Sequence, residues 1–216
     1  MKLLKIGFGI LVALNFHSCK KEVVFLPWDD IVEIREVDFF DQIHNEGIAN
    51  INIYKSNEIT VEVRGDSVLL SELITTVADS KLRISVTNPN LEPNTFAIDI
   101  GLPSIYLIEN DGTGLVYLRN YRATELNIIA SGSGDLILFN GSAETLNLHK
   151  SGSGMLNGFK FDCEEIKINQ SGTGEVQVKA ENSIRGSLSG AGDLKFRGTP
   201  EINVDVTGTG DVIDAN

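Results

Sequence analysis

The fold is decided by two consecutive stretches of twenty residues, SGSGDLILFNGSAETLNLHK (131–150) and SGSGMLNGFKFDCEEIKINQ (151–170). Both begin with Ser-Gly-Ser-Gly and continue with alternating apolar and polar residues. Related x-Gly-x-Gly elements occupy residues 111–114, 131–134, 151–154, 171–174, 189–192 and 207–210, with start-to-start spacings of 20, 20, 20, 18 and 18. A fixed period of this size is typical of a stacked repeat array.

Apolar residues recur at the same phase of every repeat. When each x-Gly-x-Gly element starts at position 1, position 6 holds Val116, Leu136, Leu156, Val176, Leu194 and Val212. A second alternating pair follows a polar corner, and we assign it to Leu126/Ile128, Leu146/Leu148, Ile166/Ile168, Ile184/Leu188 and Val204/Val206. An alternation of period two predicts strands with one buried face.

The repeats favour coils of a parallel β-helix over a meander of hairpins. Identical residue types at identical phases are expected when coils stack in register about 4.8 Å apart. The corners lack tight Asn-Gly or Asp-Gly hairpin turns apart from Asn140-Gly141, and residues 104–199 contain no proline. The sequence therefore predicts an all-β fold, a parallel β-solenoid with coils of about 18–20 residues.

The corner glycines have a structural explanation. A sharp corner needs positive φ angles or a close approach between coils, and glycine permits both. We therefore interpret the Ser/Gly ladder as a structural corner and not as a binding surface.

The N-terminus indicates a lipoprotein. Lys2 and Lys5 precede an apolar run of eleven residues (6–16), which is too short to span a bilayer and fits a secretory signal. The run ends at Phe16-His17-Ser18-Cys19, which resembles the loose lipobox of Bacteroidetes. We predict a lipoprotein signal peptide at residues 1–18, lipidation at Cys19, and a tether at residues 19–35; an ordinary cleaved signal is the alternative.

The mature chain is predicted to be acidic and without disulfides. Loss of residues 1–18 leaves 16 basic and 30 acidic residues, a net charge of −14. This charge argues against a nucleic-acid partner. Cys163 is the one cysteine after Cys19, so no intramolecular disulfide forms within a lipidated chain.

The predicted solenoid occupies residues 36–216. Its regular x-Gly-x-Gly repeats cover residues 111–216, and residues 36–110 are expected to be irregular first coils whose opening strands cover the solenoid edge. In this part, 48–53 and 59–63 suggest a strand pair, and Leu70, Leu73, Ile74 and Val77 are spaced as in a short helix.

A family resemblance rests on several short stretches together with the repeats. They are residues 38–43 (DFFDQI), Leu69-Leu70, residues 82–84 (LRI), Leu102-Pro103 and the repeated Ser-Gly-Ser-Gly. Over about residues 36–213 the chain resembles the family described as putative auto-transporter adhesin, head GIN domain, a domain of unknown function common in Bacteroidetes lipoproteins. The resemblance implies a right-handed β-helix, export and an adhesive role.

Few residues suggest chemistry. Acidic residues follow the glycine element at Asp135, Glu175, Asp193 and Asp211, which suits either a calcium site or a solvated corner; the spacing differs from that of the calcium-binding β-roll. His44 and His149 are too far apart in sequence to predict a zinc site or a triad. We predict no catalytic residue, no metal and no cofactor, and we interpret Cys163 as a small core residue that stacks with Ala123 and Ala143.

The expected function is a non-enzymatic cell-envelope lipoprotein that acts as an adhesin, binding module or scaffold. Its partners would be the outer membrane, reached through the lipid anchor, and a glycan, a protein or a second copy of the chain. The surface-exposed and periplasm-facing orientations both remain open. The alternative is a carbohydrate-active enzyme of β-helix type, either a polysaccharide lyase or a glycosidase, which would need paired acids and a cleft.

Overall fold

A computed structural model of the chain describes residues 22–25, 30–88, 90–91 and 96–216. Within them the chain forms one turn of 3-10 helix (Leu69–Glu72) and seventeen strands. The first nine strands are β1 (Glu22–Phe25), β2 (Asp30–Ile34), β3 (Gln42–Asn45), β4 (Asn50–Lys55), β5 (Thr60–Asp66), β6 (Leu73–Ala78), β7 (Lys81–Val86), β8 (Ala97–Leu102) and β9 (Leu107–Asn110). The others are β10 (Val116–Arg119), β11 (Arg122–Ala130), β12 (Leu136–Lys150), β13 (Leu156–Gln170), β14 (Val176–Leu188), β15 (Leu194–Arg197), β16 (Glu201–Val206) and β17 (Val212–Asp214). No helix in this part of the chain is long and apolar enough to cross a membrane.

The predicted all-β solenoid is confirmed, and its repeats stack as parallel rungs. Leu126 aligns with Leu146 and Leu146 with Ile166, so equivalent residues lie directly above one another. The position-6 residues form a second such column, in which Val116 aligns with Leu136 and continues through Val212. Both columns point inward and are buried except at the last rungs, so each rung covers its neighbour's apolar side chains.

Two stacks of parallel strands result, which we name sheet 1 and sheet 2. Sheet 1 contains, in spatial order, β8, β4, β10, the first halves of β12, β13 and β14, then β15 and β17. Sheet 2 contains β7, β3, β9, β11, the second halves of β12, β13 and β14, and then β16.

The irregular N-terminal part differs from the sequence prediction. β3 and β4 lie inside the stack, between β7/β8 on one side and β9/β10 on the other. The edge of β8 is covered by β5, which runs antiparallel to it, and the edge of β7 is covered by antiparallel β6. The expected strand pair β4–β5 is therefore wrong, because β8 lies between these strands. The cap consists of β5 and β6, and not of the opening strands.

Two smaller predictions also need revision. The helical spacing of Leu70 and Leu73 produces only the 3-10 turn, since residues 73–78 form β6; the β-branched residues of LITTVA favour a strand. Residues 22–25 and 30–34, assigned to the tether, form β1 and β2, which pair antiparallel with each other, and β2 pairs with β5.

The 18-residue repeats shift the predicted register. Ile184 aligns with Ile166 as predicted, but Leu188 aligns with Gln170, and the inward place before it is taken by Gly186. The two missing residues are removed at the corner that precedes this segment, where the pairing between β13 and β14 slips. The segment after the corner keeps its length, since residues 184–188 align one to one with residues 166–170. The predicted Ile184/Leu188 pair is therefore wrong at its second member.

The last rung repeats this shift and is the most exposed. Val204 aligns with Gly186 and Val206 with Leu188, so the predicted pair is displaced by one inward position. Ile202 and Val206 are 38% and 45% exposed, since no further described rung covers them.

Candidate functional site

The corner glycines allow the backbones of adjacent rungs to pack in close contact. A Cβ added to Gly132 would lie 2.1 Å from the carbonyl oxygen of Gly112 in the adjacent rung, and one added to Gly152 would lie 1.9 Å from that of Gly132. None of the glycines in the x-Gly-x-Gly elements has a positive φ. Of the two reasons that the sequence suggested, close approach is therefore the one that applies, and the interpretation as a structural corner is supported.

The sequence also contains a seventh corner that the repeat search did not identify. Residues 46–49 (EGIA) lie under residues 111–114, and a Cβ on Gly114 would lie 2.0 Å from the oxygen of Ala49. Alanine replaces the second glycine of the element. The sequence contained a signal for this corner, because Ile51 and Ile53 follow it at positions 6 and 8 of the repeat. In the structure they align with Val116 and Leu118.

A column of polar side chains is buried behind the glycine corner. It contains Asn45, Asn110, Lys150 and Gln170, none more than 2% exposed. The Lys150 ammonium donates to the Gly152 carbonyl at 3.1 Å, and Gln170 donates to Gly174 at 2.9 Å. These side chains satisfy carbonyl oxygens of the corner. Desolvation lowers the pKa of Lys150, and the charge of Asp135 opposes this effect.

The acidic residues that follow the glycine elements accept hydrogen bonds from backbone N–H groups or form ion pairs. Asp135 accepts the N–H of Met155 at 2.7 Å, and Asp193 accepts that of Asp211 at 3.0 Å, each on the next rung. Glu175 lies 2.6 Å from Lys195, whose hydrogen bond lowers the pKa of Glu175. Among the described residues, no group of three or more His, Cys, Asp or Glu is placed to hold a metal ion.

Cys163 lies at the floor of an open hollow of about 440 Å³. It aligns with Ala143, as the sequence predicted, and Ala143 aligns with Ala123. Burial raises the pKa of the Cys163 thiol to about 12, so the reactive thiolate is absent at neutral pH. The rim of the hollow carries Glu144, Glu164 and Glu181 on successive rungs.

One cluster brings together a hydroxyl, a carboxylate and an imidazole. His44 Nε2 lies 2.7 Å from one oxygen of Asp111, and Ser131 donates to the other oxygen. Asp111 therefore lies between the two groups, whereas a Ser-His-Asp triad requires the imidazole in the middle. The cluster links rungs and offers no activated nucleophile.

Basic side chains gather along the end of sheet 1, on a surface that we name the cationic edge. It comprises Lys55, Arg119, Arg122, Lys160 and Arg197. Lys55, Arg119, Lys160 and Arg197 lie on β4, β10, β13 and β15, strands of the same parallel stack. Arg122 is the first residue of β11, at the corner that follows β10. Arg122 and Lys160 line a common hollow of about 300 Å³.

Four of these cations lie over aromatic rings. Lys160 Nζ lies 4.8 Å from the ring centre of Phe139, and the Arg197 guanidinium lies 4.3 Å from that of Phe159. The corresponding distances are 5.7 Å for Arg119 over Tyr54 and 5.5 Å for Lys55 over Tyr121. Such cation–π contacts contribute about 0.5–1 kcal/mol each at exposed sites and restrict where the charge can lie.

The comparison with known families decides the identity of the domain. The sequence profile of the family described as "Putative auto-transporter adhesin, head GIN domain" matches residues 39–200. The chain belongs to this family. The head GIN domain thus includes the capped N-terminal rungs as well as most of the regular ones.

Solved structures share the fold of this head GIN domain at low sequence identity. A putative adhesin from Bacteroides fragilis has 21% identity and a TM-score of 0.69, with 85% of this chain and 96% of that one covered. A putative adhesin from Parabacteroides merdae has 14% identity and a TM-score of 0.56, with 86% and 97% covered. A protein from Parabacteroides distasonis described as a putative lipid binding protein has 18% identity and a TM-score of 0.52, with 86% and 98% covered. No curated protein matches the chain.

The predicted lipidation site of this head GIN protein, Cys19, lies outside the described residues. The sequence search found the stacked core but missed the cationic edge, because its members are spread from residue 55 to residue 197. Lys55 joins the other four only through the pairing of β4 with β10, two strands that are distant in sequence.

Proposed function

We propose that the chain is a non-enzymatic, lipid-anchored binding module of the cell envelope. Cys19 would carry the acyl chains that hold it at the outer membrane, and the solenoid would present its strand faces to a glycan, a protein or a second copy. Stable attachment requires more than one acyl chain, which a triacylated cysteine provides.

The observation that supports a binding role is the alignment of side chains from rung to rung. Asn127 and Asn147 lie on adjacent rungs, where their amides are linked at 2.9 Å, and Asn147 aligns with Lys167 on the next rung. A rigid surface with one side chain every 4.8 Å or so suits an extended partner with its own repeat. Binding costs less entropy when the surface is already ordered.

Two side chains of types that serve in catalysis, Glu175 and Cys163, lack the pKa that catalysis needs. A general acid requires a raised pKa, whereas that of Glu175 is lowered by its hydrogen bond with Lys195. The Cys163 thiol has a raised pKa, so it is a poor nucleophile. These observations favour binding without turnover.

The test uses the full-length protein purified in detergent from its envelope. We expect saturable binding to at least one envelope or host polysaccharide or protein, with no release of reducing ends or unsaturated products. Turnover of any polysaccharide would overturn the proposal in favour of an enzyme.

The anchor is tested separately by metabolic labelling with a palmitate analogue. We expect the wild-type chain to be labelled and to fractionate with the outer membrane, and the Cys19→Ala chain to be unlabelled. An unlabelled wild-type chain would contradict the anchor. Protease treatment of intact cells then distinguishes a surface-exposed domain, which is cleaved, from one that faces the periplasm.

A further inference from the structure

Most of the described basic side chains that have no ion pair lie at the cationic edge. Among the described residues, no carboxylate lies within 4.0 Å of the cationic group of any of its five members. Seven other described basic residues each have such a carboxylate: Arg35, Arg64, Lys81, Arg83, Lys179, Arg185 and Lys195. The other two described basic residues without such a carboxylate are Lys150, which is buried, and Lys167 on sheet 2. In a chain of net charge −12, the concentration of the remaining five at one edge calls for an explanation.

One of these cations, Arg119, is incompletely satisfied, whereas Lys55 and Arg197 donate to the carbonyl oxygens of Pro103 and Ala215. Arg119 Nε is buried and has no hydrogen-bond partner, while its guanidinium lies over Tyr54. An unsatisfied buried donor costs about 1–3 kcal/mol. Since Arg119 Nε itself is buried, a ligand oxygen would pair with the other nitrogens of this guanidinium. Lys160 and Arg122 are exposed and lie beside the same hollow, where Asp162 is the one acidic member and pairs with Lys179 at 2.8 Å.

The shape of the charged surface selects the class of ligand. From β4 to β15 the edge crosses six strands of sheet 1, which corresponds to roughly 24 Å at the usual strand spacing. Acidic side chains border it on both sides: Glu144, Glu164 and Glu181 line the neighbouring hollow, and the row from Asp135 to Asp211 lies at the other end of the sheet 1 strands. A duplex or a flat anionic membrane would meet these acids, whereas one narrow polymer can follow the cations alone.

We infer that the cationic edge binds a single chain of an acidic polysaccharide, with sugar carboxylates or sulfates paired to Arg119, Arg122 and Lys160. Uronic-acid polymers are extended and carry a charge on each sugar, and the rung spacing is close to the length of one pyranose unit. Charge-assisted hydrogen bonds to arginine are about twice as strong as neutral ones. This inference rests on the proposed binding function and specifies its ligand class.

The test measures affinity for polygalacturonate with the full-length chain and two matched variants. Arg122→Gln/Lys160→Gln removes two exposed cations of the edge, and Arg64→Gln/Arg83→Gln removes two exposed cations from β5 and β7, so both variants have the same net charge. Neither pair packs in the core, and cooperative melting within a few degrees of the wild type shows that both fold. Neutral dextran, single-stranded DNA and anionic phospholipid vesicles are the comparison ligands.

We expect polygalacturonate to bind and its affinity to fall between roughly 50 and 200 mM NaCl, since exposed charge pairs are screened by salt. The edge variant should bind about tenfold more weakly or worse, and the Arg64→Gln/Arg83→Gln control should match the wild type within about twofold. Equal losses in both variants, or tighter binding of DNA or vesicles, would overturn the inference. Saturable binding of dextran alone would overturn it as well but would leave the proposed binding function in place; absence of binding to any polysaccharide, envelope protein or second copy would end both.

Discussion

The glycine corners allow a sharp test, in which the same substitution is made at two equivalent places. In Gly152→Ala the new Cβ would lie 1.9 Å from the Gly132 oxygen and 2.6 Å from that of Ser131. Both neighbours are backbone atoms held by the strand ladder, so the rungs must separate by about 1 Å. In Gly47→Ala the nearest atom would be Ser85 Cα at 3.6 Å, an ordinary contact.

The magnitude follows from these distances. Overpacking costs about 1–3 kcal/mol, and stretching the bonds from Gly152 N–H to Ala130 and from Gly154 N–H to Gly132 adds about 1 kcal/mol each. The reduced entropy of the unfolded alanine chain returns about 0.4–1 kcal/mol. We expect Gly152→Ala to lose about 2–4 kcal/mol of unfolding free energy, which is a fall in Tm of roughly 5–15 °C for a chain of this size.

Thermal and urea unfolding monitored by circular dichroism measure the effect. Gly47→Ala should melt within about 2 °C of the wild type or slightly above it, because only the entropic term remains. If the two variants melt together, the corner glycines are not explained by contact between adjacent rungs.

Two further predictions concern buried groups. In Lys150→Met the unfolding free energy should rise by about 1–3 kcal/mol at neutral pH, because a desolvated ammonium is replaced by an apolar side chain. The pKa of Lys150 is lower in the folded state than in the unfolded state, so the unfolded state binds more protons at pH values between the two. The stability of the wild type should therefore approach that of the variant as the pH rises toward the unfolded pKa. Paired urea titrations at several pH values measure this difference. In a Cys19→Ala background, the Cys163 thiol should fail to react with a disulfide reagent at pH 8 in the native state and react fully in urea. Fast native labelling would show that the floor of its hollow opens.

The regular rungs could be predicted from the sequence because each inward residue has a counterpart 18 or 20 positions away. The same phase also places Lys150 inward, in the column of Ala130 and Gln170, although a lysine at a strand end suggests a surface position. The sequence analysis assigned no face to Lys150; extending the Leu146/Leu148 alternation by two residues gives the inward position, whereas residue type alone suggests the opposite. The interior tolerates the lysine because the corner supplies the Gly152 carbonyl.

The N-terminal order could not be predicted, because local patterns do not specify which strands become neighbours. β4 and β5 are adjacent in sequence and both alternate, which is the pattern of a hairpin, yet β8 separates them. The cationic edge depends on this order, since Lys55 joins it only when β4 lies beside β10. Non-local pairing therefore sets the surface on which the inferred ligand site rests.

The most direct test of the account is the pattern of backbone contacts measured by isotope-edited NOE spectroscopy. Parallel rungs predict contacts between residues separated by 20 positions, or by 18 in the shorter repeats, with Leu126 near Leu146, Leu146 near Ile166, and Ile166 near Ile184. Contacts in which residue numbers rise on one strand while they fall on its partner, across residues 111–216, would indicate antiparallel hairpins and contradict the stacked solenoid.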